Sequence, residues 1–346
     1  MRLILKALIA ALSLSLLSIT TYQILSTKKN IVIIGFTGDV MLGRLVNEKL
    51  KETSPTYPWG NILPLLKKTN LNIINLETAI TAHTKATPKV FNFRTDPEHV
   101  ETLKKGNIEV VNLANNHILD FGKEGLYETL NVLEKAHIKY VGAGKNIQEA
   151  QKAVIIEKKG IRFGIIGFTD NEPDWKATAA NPGTNYIKVG DIDIVQKVVN
   201  NVRSQVDFLI ASIHWGPNMR EKPTQEFIDF AHQMIDAGID IIHGHSAHIF
   251  QGIEVYKNKL ILYDTGDFID DYMIDPKLRN DISFFYEVYI EKNALKKLKL
   301  TPVYIENMQV NLAAGKEYEW AINHVQQLSK EFDTQISNEG IYQFKY

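Results

Sequence analysis

From residue 31 onward the chain alternates between two hydrophobic rhythms. Ile31-Val-Ile-Ile-Gly-Phe is an unbroken apolar run, the pattern of a strand covered on both faces. A helix follows over about Arg44–Lys51, then a short strand at 72–75. Asp96-Pro97 reads as an N-cap with Pro at the first helical position, opening a helix that closes near Gly106. Ile108–Leu113 is the next strand, and Leu126, Leu130 and Leu133 mark one face of a helix over Gly122–Ala136. Strands near 139–141, 153–157 and 161–167 precede a helix at 191–203, a strand at 206–213, a helix at 223–237 and a strand at 239–243. Strands separated by helices predict an α/β fold with a largely parallel sheet. Past residue 250 the runs Gly252–Tyr256, Leu260–Tyr263, Ser283–Ile290 and Leu298–Val303 follow one another with little helix between them. They predict an antiparallel sheet packed on the first, closed by a helix near 317–332. The stretch 170–188, rich in Pro, Asn and Gly and without a period, is expected as a loop over a site.

Polar residues interrupt this pattern at repeated places, the C-terminal ends of the predicted strands. GDVMLGR (38–44), NLET (75–78), LANNH (113–117), SIHWG (212–216) and HGHSAH (243–248) each put Asp, Glu, Asn or His there. Taken alone, Asp39 and Glu77 are equally good helix caps, Asn115-Asn116 turn residues, and His117 and His214 interior histidines. In series they describe a divalent-metal site, because rigid strand ends hold carboxylates and imidazoles where an ion needs them. His243, His245 and His248 put three imidazoles within six residues, and part of this cluster is expected to bind metal, since neutral imidazole suits Zn, Mn or Fe. Asn116 offers a neutral oxygen, and His117 a proton for a leaving alkoxide. Arg94 is a candidate clamp for a carboxylate or phosphate. Asp264, Asp267, Asp270, Asp271 and Asp275 form an acidic loop, expected to be mostly solvated with some members orienting histidines.

Composition narrows the function classes. The chain has 346 residues, 45% hydrophobic and 23% charged, with a net charge of −1, so no basic field is present for nucleic acid. Cysteine is absent, which excludes disulfides, thiolate ligands and a cysteine nucleophile. Neither a phosphate-cradling glycine loop nor a G-x-S-x-G elbow occurs. At the N-terminus, Arg2 and Lys6 precede an apolar run from Ala7 to Leu25 that ends at Lys28-Lys29. A bilayer-spanning helix needs about 20 such residues. With no A-x-A cleavage site after it, the run is expected to be an uncleaved signal anchor or transmembrane helix over 1–28. Residues 29–346 would then form one extracytoplasmic body on the cytoplasmic membrane.

Order and spacing of GDVMLGR, NLET, FNFR, VVNLANNHILDFGKEGLYETL, VGAG, IIGFTD, SIHWG and AGIDIIHGHSAHIFQGIEVYKNKLILYDTGDF resemble the CapA family of poly-γ-glutamate capsule biosynthesis, from about residue 31 to 305. That family in turn is similar to the calcineurin-like metallophosphoesterases. The resemblance implies an α/β/β/α sandwich of two mixed sheets with flanking helices, and metals at the strand ends. It assigns Asp39, Glu77, Asn116, His214, His245 and His248 to metal, with Glu77 in the bridging position, and His117 to catalysis. Met41 stands where the parent pattern has a histidine, which removes one nitrogen ligand. Three roles stay open on this basis: the first is an accessory of polymer synthesis or export that binds the anionic polymer beside other membrane subunits, and the second a metal-dependent phosphoesterase. An amide hydrolase trimming the polymer is the third.

Overall fold

A computed structural model describes residues 31–292 and 294–345. The anchor expected over 1–28 lies outside the described residues. Among the described residues, no helix is long and apolar enough to cross a membrane.

Two sheets face each other. Along its main path the first runs Gln309–Leu312, Ala294–Glu306, Ile282–Glu291, Val32–Val40, Leu71–Leu76, Val110–Asn112 and Lys139–Val141. Asp267–Ile269 joins it in parallel beside Val32–Val40. The second runs Ile253–Tyr256, Lys259–Leu262, Ile241–His245, Phe208–His214, Ile161–Thr169 and Val154–Lys158. Val32, Ile34, Phe36, Ile73 and Val110 of the first sheet pack with Phe163, Ile165, Phe208, Ile210 and Ile241 of the second in one core. The outer face of the first sheet (Ile74, Leu76, Val111) is covered by Val46 and Leu50 of helix Arg44–Glu52, and by Leu126, Leu130 and Leu133 of helix Gly122–Lys135. The outer face of the second (Ile166, Leu209, Ala211, Ile242) is covered by helices Ile192–Val202 and Gln225–Asp236. The architecture is therefore the α/β/β/α sandwich of two mixed sheets.

Three expectations are corrected. The late strands do not make a sheet of their own. Ile253–Tyr256 and Lys259–Leu262 pair as a hairpin on the edge of the second sheet, while Ile282–Glu291 and Ala294–Glu306 pair antiparallel beside Val32–Val40. Each half of the late chain thus supplies the antiparallel edge of a parallel array, and both sheets are mixed. Asp96 and Pro97 do open the helical segment, which closes at Gly106, but it starts as a 3-10 turn ahead of helix Val100–Lys105, and the Asp96 carboxylate takes Lys51, Arg94 and Asn47 rather than capping. The acidic loop is not mostly solvated: Asp264, Asp267 and Asp270 are buried, while Asp275 is half-buried.

The strand period places the site. Side chains alternate between faces, so positions two apart point the same way. The apolar core series Leu71, Ile73 continues into Asn75, and Val110 into Asn112. Phe208 and Ile210 continue into Ser212 and His214, and Ile241 into His243 and His245. The inter-sheet face turns polar at its C-terminal end on several neighbouring strands at once.

Candidate metal centre

Two glycines allow the strands to close on this end. A Cβ on Gly38 would lie 1.9 Å from the Gly266 carbonyl oxygen, and one on Gly244 would lie 2.1 Å from that of Tyr263. No other residue fits at either place, so Asp39, His243 and His245 each sit next to an obligatory glycine.

Around Asp39 the ligand-type atoms form two groups, each with its atoms within 4.8 Å of one another: Asp39, His214 and His245; and Asp39, Glu77, His248 and Asp267. Asp39 belongs to both, whereas Glu77, expected in the bridging position, serves one. Asp39 Oδ1 lies 4.0 Å from His214 Nδ1 and 3.8 Å from His245 Nδ1, and its Oδ2 lies 3.6 Å from His248 Nδ1. His248 reaches inward because the backbone turns left-handed at Ser246 (φ 118) and His248 (φ 61). Such conformations cost on the order of 1–3 kcal/mol each. Asp264 holds the turn, accepting from Ala247 N–H at 2.7 Å and Gly266 N–H at 2.8 Å.

Asparagines orient the shared carboxylate. Asn115 Oδ1 accepts from His117 N–H and its Nδ2 donates to the Leu76 carbonyl, which fixes that amide. Its Nδ2 and that of Asn112 both donate to Asn75 Oδ1 at 3.1 Å. Asn75 must therefore turn its Nδ2 to Asp39 Oδ1, at 2.7 Å. A similar chain sets the imidazoles. The Thr37 carbonyl can only accept, so His243 donates to it from Nε2 at 2.8 Å. Burial pushes His243 down to about 4, so its Nδ1 is bare and accepts from Ser212 Oγ at 3.1 Å. Ser212 Oγ then accepts Nε2–H of His245 at 3.0 Å, leaving the His245 Nδ1 lone pair facing His214 Nδ1 at 3.0 Å.

The donor set fits a divalent ion. Asp39 Oδ2, both oxygens of Glu77, Asp267 Oδ2 and Asn116 Oδ1 are buried with no hydrogen-bond partner. Two carboxylates 4 Å apart repel by on the order of 4 kcal/mol at an effective dielectric of 20. Three such groups stay charged together only with a cation among them. Burial, then neighbouring carboxylates, pushes Asp39, Glu77 and Asp267 up from their ordinary values. Burial pushes His214 and His245 down, as imidazole ligands require. Burial also works to lower His248, but the negative charges of Glu77 and Asp39 outweigh it and hold it raised.

Beside this cluster stands a His–Asp pair. His117 Nδ1 lies 2.6 Å from Asp120 Oδ2, and its Nε2 lies 3.8 Å from Glu77 Oε1. The ring stacks on Phe93 with centroids 3.8 Å apart. Phe93 N–H and Lys89 also donate to Asp120, so its carboxylate is fixed from three sides. Burial pushes His117 down to about 4.

The structure thus brings Asp39, Glu77, His214, His245 and His248 together, with His117 adjoining them. Asn116 lines the cleft above, alongside His117 and His248. Arg94 is placed elsewhere: its guanidinium binds the Thr81 carbonyl and Asp96, and the cations lining the cleft are Arg44 and Lys89. Met41 is buried in the outer core, its sulfur accepting from Gly43 N–H at 3.0 Å. Lys89 also donates to the Asn116 carbonyl and sits 3.7 Å from Glu172 and 4.7 Å from the Trp175 ring, where the 170–188 segment meets the cleft. Asp267 is foreseen only as one of several acidic residues that could orient a histidine, and it does lie 2.9 Å from His248 Nδ1; Asn75, Asp120, Ser212, Arg44 and Lys89 escaped the sequence reading. Only Asp120 carried a local signal, three residues after His117 on the same turn.

The chain matches the family described as bacterial capsule synthesis protein PGA_cap over residues 33–272. It is 33% identical over 322 residues to a probable polyglutamine synthesis accessory protein of Mycobacterium tuberculosis, covering 87% of this chain and 84% of that one. It is 30% identical over 271 residues to the PGA biosynthesis protein CapA of Bacillus subtilis, covering 78% and 70%. The capsule biosynthesis protein CapA of Bacillus anthracis is 29% identical over 278 residues, covering 78% and 66%. Among solved structures, a hypothetical protein from Thermus thermophilus covers 81% of this chain and 96% of its own at 14% identity with a TM-score of 0.44, a weak likeness that adds nothing to the fold read from the strands. With more than two thirds of its length matched and relatives at this identity, the chain belongs to the bacterial capsule synthesis PGA_cap family.

Proposed function

We propose that this protein serves the synthesis of an anionic capsule-type polymer, such as poly-γ-glutamate, as a metal-dependent phosphoesterase held at the outer face of the cytoplasmic membrane. The tether is the apolar run Ala7–Leu25, and residues 29–346 form the working body beside other membrane subunits of the synthesis machinery. The observation that supports hydrolysis is the set of unpartnered buried acceptors around Asp39. Asp39, Glu77, Asp267 and His248 would hold one ion, and Asp39, His214 and His245 a second, with Asn116 as a neutral oxygen donor. The mixture of imidazole and carboxylate suits Mn, Zn or Fe. A bound divalent ion supplies charge neutralisation at the ester oxygens and a water acidic enough to attack.

The remaining chemistry belongs to the side chains. Asp120 holds the proton on His117 Nδ1 and aims Nε2 into the cleft. An anionic substrate brought against Nε2 raises its basicity, as any nearby negative charge does, so that Nε2 takes up a proton from solvent. The protonated ring then delivers its proton to the departing alkoxide.

The test is metal per chain by elemental analysis of the full-length protein loaded with Mn²⁺ or Zn²⁺, alongside Asp39→Ala and His245→Ala, followed by hydrolysis of an aryl phosphodiester. Two ions per chain, both lost in Asp39→Ala and one in His245→Ala, with turnover that needs His117, is the expected result. One ion or none, unmoved by either substitution, overturns catalysis and leaves a polymer-binding module.

A further inference from the structure

The walls of the cleft do not resemble a groove for a free polyanion. It encloses about 580 Å³, with His117, His248 and Asn116 at its metal-facing end. Its mouth carries Val90 at 89% exposure, Phe91 at 58%, Met219 at 37% and Met273 at 91%. These four come from three separate loops, the ones after Ile80, His214 and Ile269, yet they meet around one opening. Leu45 and Ile274, also exposed, line the adjoining depression, which shares Tyr272 and Asn280 with the cleft. Scattered exposed apolar residues are ordinary, but a cluster rimming a polar site marks a ligand surface.

Charge at the mouth is sparse. Lys89 is taken up by Asp120 and Glu172. Arg44 pairs with Asp271 at 3.3 Å, and its guanidinium carbon lies 5.8 Å from the rings of both Phe91 and Phe93. A polycarboxylate carries a charge on every residue and gains nothing from Val, Phe and Met. A single anionic group joined to an apolar chain matches both parts: anion at the metal end, chain across the rim.

We infer that the substrate is an amphipathic phosphoester, a phosphate joined to a lipid-like hydrocarbon chain, with Val90, Phe91, Met219 and Met273 holding the chain. This rests on the metal-centred reading proposed above. Each methylene laid against such a surface contributes roughly a threefold gain in affinity.

The experiment measures binding of inorganic phosphate and of methyl, butyl, hexyl and octyl phosphate to the Mn²⁺-loaded full-length protein in amphipol. The same series is run on the double variant Val90→Ser, Met273→Ser. These side chains are exposed, so the variant is expected to keep its melting temperature and its phosphate affinity. Affinity that climbs at least tenfold from methyl to octyl phosphate, and stays flat in the variant, is the expected result. Phosphate binding with no dependence on chain length overturns the inference and leaves the metal centre standing. A climb equal in both proteins places the hydrocarbon elsewhere, on the N-terminal run for instance, and also overturns it. Failure to bind any phosphate overturns this inference and the phosphoesterase reading together.

Discussion

Ser212 Oγ stands 3.0 Å from Nε2 of His245, and that contact decides which nitrogen of the ring is free. The hydroxyl spends its own proton on His243, so it can only accept from His245. Ser212→Ala breaks the chain at its middle, and His245 is then free to place its proton on Nδ1. Loss of a hydrogen bond that orients a ligand histidine typically costs 10- to 100-fold in metal affinity. Calorimetric titration with Zn²⁺ is expected to show that loss at one of two sites, with the other unchanged. Equal affinities in both proteins would show that the tautomer is set without Ser212.

Asp39 is common to both ligand groups, so its removal should be felt at both, unlike that of Glu77 or His245. Asp39→Asn keeps the shape and the Asn75 contact while deleting a buried charge. Metal content is expected to fall at both sites, against one site for Glu77→Gln or His245→Ala. Without metal the same change relieves carboxylate repulsion, so the metal-free Asp39→Asn protein is expected to melt higher than the parent, each ~1 kcal/mol being worth about 1.5 °C in a chain of this length. A lower melting point would mean that Asp39 is needed for the fold.

Much of this was readable in advance, and the boundary of what was readable is physical. Glu77, His214 and His245 stand at strand ends, where the two-residue period that carries apolar side chains inward carries them inward as well; Asp39 is out of phase with Val32, Ile34 and Phe36 and faces inward through a bulge between Phe36 and Asp39. His248 lies past its strand, yet the short spacing from His245 kept it in view. Asp267 belongs to a three-residue strand that exists only because it pairs with Val32–Val40, more than 200 residues earlier, and no local pattern announces such a pairing. Its acidic neighbours made the segment look like solvated loop. Arg94 had the right chemistry but stands two residues from Asp96, which takes its charge, while Arg44 and Lys89 reach the cleft through loop geometry that sequence does not encode.

Stability of the metal-free protein should depend on pH through the buried carboxylates. Burial pushes Asp264 up to about 7 and Asp270 to about 6, and Asp39, Glu77 and Asp267 are raised as well. A carboxyl raised on folding binds its proton more tightly in the native state, so its contribution is complete below the unfolded value and is lost as pH rises through the folded one. His117 and His243, both pushed down to about 4, act the other way, but only between about 4 and their unfolded value near 6.5. Above pH 6.5 these two no longer act, and the carboxylates are joined by His248, whose raised value works in the same direction. Melting temperature without metal is expected to fall from pH 6.5 to 8, and saturating Mn²⁺ to abolish the slope. A metal-free melting point that rises over this range would contradict the shifts at Asp39 and its neighbours.

Arg44 and Arg94 separate the cleft from its surroundings. Arg94 is held by Asp96 and the Thr81 carbonyl, so Arg94→Ala is expected to leave phosphate affinity of the metal-loaded protein within twofold. Arg44 lines the cleft between two aromatic rings, with its side chain about one third exposed and paired to Asp271 through a single nitrogen. The rest of its fork is available to an incoming oxyanion. A charge-assisted hydrogen bond at a partly exposed site is worth about 1.5–3 kcal/mol at most, so Arg44→Ala is expected to weaken phosphate binding by roughly tenfold. Arg44→Lys would recover only part of it, because an ammonium cannot reproduce the planar fork. Titration of inorganic phosphate into the three variants under constant Mn²⁺ reads all of this directly. A larger loss for Arg94→Ala than for Arg44→Ala would move the anion's landing point to the Thr81–Asp96 side of the molecule.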